Sequence, residues 1–147
     1  MQDRKFHRLI KYLKKKNVNV LIETNSFCQD GSPDATVILD ERVIILELPE
    51  KTKLKKKRFI ERCIHLLIHE FGHLLLYKDD YYHSEYDAWY VPTKHEIFKY
   101  ANPRTYYRDR DFYLSFYGEF AQQPAFPEAE YMIEKKTRRK TSSKSKS

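Results

Sequence analysis

The sequence predicts an α+β fold: an N-terminal helix, a small three-stranded sheet, one long helix, then short helices and a disordered basic tail. Three observations carry this. Apolar residues recur at helical spacing near the N-terminus and again in a long central segment. Three short runs rich in Val, Ile and Leu lie between those segments. Aromatics are abundant (12 Tyr, 9 Phe) while Gly is scarce (3), which suits helices joined by few tight turns.

Lys5 to Lys16 reads as an amphipathic helix, with Phe6, Leu9, Ile10 and Leu13 on one face and cations between them. Asn17-Val18-Asn19 breaks it. Strands follow at Val18–Ile22, Thr36–Leu39 and Val43–Leu48, the last the most strongly β-forming. The polar stretch 25–35 between the first two is a loop. A long helix runs from about Lys51 to Tyr77, cationic in its first half and apolar in its second. Lys78-Asp79-Asp80 is a polar break. Ser84 to Val91 reads as a short helix capped by Ser84 with Asp87 in a capping-box position, and Pro92 ends it. Thr93 to Ala101 suggests another helix. The aromatic run Tyr106–Phe120 is expected to pack the back of the core, with a groove for an extended peptide as the alternative. Glu128 to Lys136 is a candidate terminal helix.

One chain of 147 residues reads as a single domain over 1–134 with a disordered Ser/Lys tail over 135–147. The net charge of +7 resides in that tail: its seven cations face no acid, leaving 21 basic and 21 acidic residues in the rest. Weak nucleic-acid contact is therefore expected through the tail. The run Lys51–Arg58 reads as a solvated helix start, with partner binding as the lesser alternative. Neither a membrane span nor a secretory signal is visible, which implies a cytoplasmic protein. Cys28 and Cys63 fall in different elements and make no disulfide framework.

The chemistry concentrates in His69-Glu70-Phe71-Gly72-His73, an HExxH pattern. Residues four apart lie on one helix face, so both imidazoles can hold one metal ion, and Glu70 projects beside them as a base. The flanks Leu66-Leu67-Ile68 and Leu74-Leu75-Leu76 make this helix apolar nearly all round and hence buried. A buried His-Glu-His set without a partner carries a large desolvation cost, which a metal removes. This is the donor set of a catalytic zinc, which takes three protein ligands. Candidates for the third are His83, Glu85, Asp87, His95 and Glu96. Glu85 is favoured, because the chain has room to turn back after the motif and Ala88, three residues on, permits close helix approach; His83 is second. His65, one turn before His69, is a candidate to orient a ligand and more commonly a packed histidine. His7 has no supporting context.

These residues resemble the ImmA/IrrE-type metallopeptidases, minimal gluzincins common in phages and mobile elements. The resemblance covers roughly residues 5 to 92 and rests on His69-Glu70-Phe71-Gly72-His73-Leu74-Leu75-Leu76 and on Glu85-Tyr86-Asp87-Ala88, which matches the family's Glu-x-x-Ala element. It implies a zincin-like fold, with Glu85 completing a zinc site begun by His69 and His73. The chain departs from the family in Trp89-Tyr90-Val91-Pro92, where that helix is cut short.

The expected activity is zinc-dependent hydrolysis of a peptide bond in a protein or peptide substrate, with Glu70 as general base on a zinc-bound water. Tyr81, Tyr82, His83, Tyr90 and His95 are candidates to steady the oxyanion. Strand Val43–Leu48 is expected at the sheet edge, where a substrate peptide can add. The rival reading is a zinc-stabilised module that binds protein or nucleic acid without catalysis.

Overall fold

The structure, a computed structural model, describes residues 3–28, 31–77 and 83–125. The candidate terminal helix 128–136 and the tail 135–147 lie outside the described residues.

Helix α1 (Arg4–Lys15) begins where the Asp3 carboxylate accepts from the Phe6 amide. It buries Phe6, Leu9 and Leu13, the apolar stripe of the sequence. Asn17 ends it at φ 61, a left-handed conformation that Asn tolerates after a helix. Strands β1 (Asn19–Thr24), β2 (Asp34–Ile38) and β3 (Val43–Leu48) form a mixed sheet in the order β1-β3-β2. β1 runs parallel to β3, and β2 pairs with β3 antiparallel. The expected edge position of Val43–Leu48 is thus corrected: β3 is central, and β1 and β2 are the edges. The cause is legible in its composition, since Val43-Ile44-Ile45-Leu46 is an unbroken apolar run suited to a strand with neighbours on both sides.

Helix α2 (Lys56–Leu76) crosses the core face of the sheet. It starts five residues later than the sequence suggests. Its N-cap is Lys55, whose side chain makes no capping bond, and cations oppose the dipole of a helix start. From Ile60 onward nearly every side chain is buried. Helix α3 (Glu85–Tyr90) has the expected capping box between Ser84 and Asp87. The helix expected over 93–101 is instead two 3-10 turns, Val91–Lys94 and Glu96–Tyr100, separated by His95 in extended conformation. Helix α4 (Pro103–Leu114) and a 3-10 turn at Glu119–Gln122 follow. Among the described residues no helix is long and apolar enough to cross a membrane.

Two contacts fix how these elements meet. Gly72 on α2 lies against the Ala88 carbonyl of α3: a Cβ there would sit 2.0 Å from that oxygen and 2.9 Å from the Pro92 Cγ. Gly72→Ala gains about 1 kcal/mol of helix propensity. Against backbone at that distance, however, α3 must move off α2, and overpacking of this kind costs about 1–3 kcal/mol. A lowered melting temperature is expected, together with weaker metal uptake as Glu85 is carried away; an unchanged or raised melting temperature contradicts this.

The second contact is a buried ionic cluster. Asp109 of α4 is fully buried and accepts from Arg58 (2.7 Å), Arg62 (2.8 Å) and His65 (2.7 Å) on three successive turns of α2. Burial works to raise the Asp109 carboxyl, but His65 and Arg58, with Arg62, hold it below the usual range. Arg62 also donates to Ser32 Oγ at 2.9 Å and lies over the Phe112 ring. The cluster thereby ties α4 and the segment leading into β2 to one face of α2.

Candidate metal centre

One turn of α2 supplies His69, Glu70 and His73, and the helix buries the first two to 4% and 6% exposure because its flanks are apolar on all sides. One ligand atom from each lies within 4.8 Å of the others, a cluster able to hold a metal ion. The capping box of α3 holds Glu85 on that helix's first turn, facing the same point. Its Oε1 lies 3.0 Å from His69 Nε2 and its Oε2 3.2 Å from His73 Nε2. Ligands at about 2.0 Å around a tetrahedral zinc are separated by about 3.3 Å, so these spacings fit such an ion. Glu70 Oε2 stands 3.5 Å from His69 Nε2.

The electrostatics agree with that donor set. Burial holds His69 down to about 4, His73 pushing the same way and Glu85 pulling back, so its imidazole is neutral and free to ligate. Burial alone would raise Glu85, but hydrogen bonds from His69 and His73 hold it well below the carboxylate range. Burial drives Glu70 the other way, well above that range, and the charges of Glu85 and Asp34 add to this. Two acids in one site are thus pushed in opposite directions.

Packing fixes the imidazoles. Trp89 of α3 stacks on the His69 ring at 4.3 Å and 12°. Tyr106 of α4 in turn donates to the Trp89 carbonyl at 2.6 Å. His73 Nδ1 meets His83 Nε2 at 2.8 Å, leaving His73 Nε2 facing Glu85. His83 therefore touches the outer nitrogen of His73, where a partner sets the tautomer.

The other candidates are engaged elsewhere. Asp87 caps α3 and accepts from Ala125, His95 caps a 3-10 turn, and Glu96 bonds Tyr12 and Lys16. His65 does not reach the site: Asn102 N–H donates to its Nε2, and its Nδ1–H faces Asp109. It is a packed histidine that docks α4. His7 is exposed on α1. Cys63 is buried, its thiol pushed up to about 12 chiefly by burial, and both cysteines are free.

A cleft of about 110 Å³ opens beside His69 and Glu70, walled by Ser32–Ala35 on one side and by Phe112, Tyr113, Phe116 and Tyr117 on the other. The aromatic run is thus divided. Tyr106 and Tyr113 are buried in the core, whereas Phe116 and Tyr117 stand half-exposed at the cleft. Burial raises the Tyr117 hydroxyl, as do the charges of Glu85, Glu70 and Asp34. Sequence reasoning missed Tyr117 and Asp34, because no local spacing links either to the motif.

No protein-family model, curated protein or solved structure matches this chain.

Proposed function

We propose that the chain is a zinc-dependent peptidase of the minimal gluzincin kind, with His69, His73 and Glu85 as ligands and Glu70 as general base. The observation that carries this reading is the Glu85 carboxylate spanning both motif imidazoles, with Glu70 beside them at a cleft. Zinc, when bound, supplies Lewis-acid activation of water and polarisation of the scissile carbonyl. Glu70 Oε takes a proton from the attacking water and returns it to the leaving amine. The Tyr117 hydroxyl, kept protonated by its surroundings, is placed to donate to the carbonyl oxygen as charge gathers there. It takes the role for which Tyr81, Tyr82, His83, Tyr90 and His95 were candidates. His83 and His95 are committed to other contacts, Tyr90 does not line the cleft, and Tyr81 and Tyr82 lie outside the described residues.

β2 takes over the role first given to β3. It is an edge strand, and Asp34 and Ala35 at its start line the cleft. An extended peptide adding to it gains backbone hydrogen bonds while its carbonyl approaches Glu70. A zinc-stabilised binding module has no need of a buried carboxylate next to the ligands, so Glu70 speaks against that rival.

The test is incubation of the full chain with a random peptide library, with new termini read by mass spectrometry. Cleavage that stops with a chelator and returns with zinc is expected. A library left intact by zinc-loaded protein contradicts the proposal.

A further inference from the structure

Charge in the body of the protein is even in number but uneven in space. α1 carries Arg4, Lys5, Arg8, Lys11, Lys14 and Lys15, all exposed, and no acid within the helix. None of the six joins an ion pair among the described residues. Lys5 lines one groove with Lys56 and Lys57 from the start of α2. Arg4, Arg8 and Lys11 line the surface beside it, and Asp3 borders both, so the two form one continuous cationic face. Its acids are committed: Asp3 caps α1, and Glu61 is bound by Arg58, Asn102 and Thr105.

Helix stability does not account for this face. Arg4/Arg8 and Lys11/Lys15 are like charges four apart, and Lys5/Arg8, Arg8/Lys11 and Lys11/Lys14 three apart, each pair costing about 0.2–0.5 kcal/mol. Arg4 and Lys5, like Lys56 and Lys57, occupy first turns where the helix dipole disfavours cations. Burial of Phe6, Leu9 and Leu13, at about 1.5–3 kcal/mol each, outweighs these terms and holds the repelling row in place. A soluble surface mixes both signs; here the acids lining the face, Asp3 and Glu61, are bonded away and the cations outnumber them.

The face also narrows its ligand. The apolar side of α1 is committed to the core, so it has nothing to insert into a lipid surface. The exposed aromatics Phe27, Tyr77, Tyr107, Phe116, Tyr117 and Phe120 lie on other elements, and among the described residues this face carries only the His7 ring and the half-buried Tyr100, a sparse platform for stacking unpaired bases. What remains is a straight row, Arg4, Arg8, Lys11 and Lys15, along a helix about 18 Å long, flanked by a second cationic cluster. We infer that this face docks double-stranded DNA through its phosphate backbone, without reading bases. The inference is independent of the peptidase reading.

The test uses the full chain and a short fluorescent duplex over a range of salt. The face offers about five phosphate contacts, so log affinity should fall with log salt at a slope near −4 to −5. The variant Arg8→Gln/Lys11→Gln/Lys15→Gln of the same chain should bind at least about 100-fold more weakly at low salt, with a slope shallower by about 2 to 3. Lys5→Gln/Lys56→Gln/Lys57→Gln, at the groove, should lose affinity similarly. Circular dichroism should show both folded. Arg138→Gln/Arg139→Gln/Lys140→Gln, in the tail, should keep most of the binding. The inference is overturned if duplex is not bound, or if both folded face variants bind as tightly as the parent. It is equally overturned if the tail variant alone loses binding, or if single strands or phosphatidylserine vesicles bind more tightly than duplex.

Discussion

Glu70→Gln is expected to keep the fold and the metal while losing about 10²–10⁴-fold in peptide hydrolysis, the contribution of a positioned general base. The amide matches the carboxylate in shape, so the tight packing around it on α2 survives. Burial and the nearby charges of Glu85 and Asp34 disfavour a charge on Glu70, and the amide carries none, so stability should not fall. What is lost is the oxygen that accepts and returns the proton. Full activity in this variant, at unchanged zinc content, would remove Glu70 from the mechanism. A variant that loses its zinc would instead make Glu70 a ligand.

The second large effect concerns the ligand set. Glu85→Ala should strip zinc under metal-limited conditions, because it deletes a carboxylate whose oxygens lie 3.0 and 3.2 Å from the two imidazoles. His83→Ala should weaken binding by no more than about 10–100-fold, the range for a partner that orients a ligand from behind. Asp87→Ala should act on the stability of α3 through its lost cap, at about 1 kcal/mol, more than on the metal. Excess zinc would mask a lost ligand, so free metal must be held below the dissociation constant of the parent. If His83→Ala loses zinc and Glu85→Ala does not, the ligands are three histidines and the gluzincin reading is wrong.

Most of what was legible came from local rules. His69, Glu70 and His73 follow from spacing on a helix, and their burial from apolar flanks on both sides. The Ser84–Asp87 capping box fixed where α3 starts, and with it the direction of Glu85. The misread elements needed partners that spacing does not reveal. β3 looked like an edge strand until its neighbours on both sides were known, although its unbroken apolar run was the available signal. Residues 51–55 offer cations that oppose a helix start and no side-chain cap, and the helix waits until Lys56. Residues 93–101 have helical composition, yet the bond from the Ile97 amide to His95 Nδ1 splits them into two turns. Tyr117 comes to the cleft only because α4 is docked through Asp109, a contact between residues about fifty positions apart in the chain. The cationic face escaped a count of charges because the tail accounts for the whole excess; it appears only when α1 and the start of α2 are set side by side.

The most direct test of the central claim is the zinc content of the 147-residue chain, purified without chelator and measured by mass spectrometry of the metal. One zinc per chain is expected in the parent protein, and none in His69→Ala or His73→Ala folded to the same extent. Parent protein that holds no zinc, and takes up none when it is added, would contradict the account.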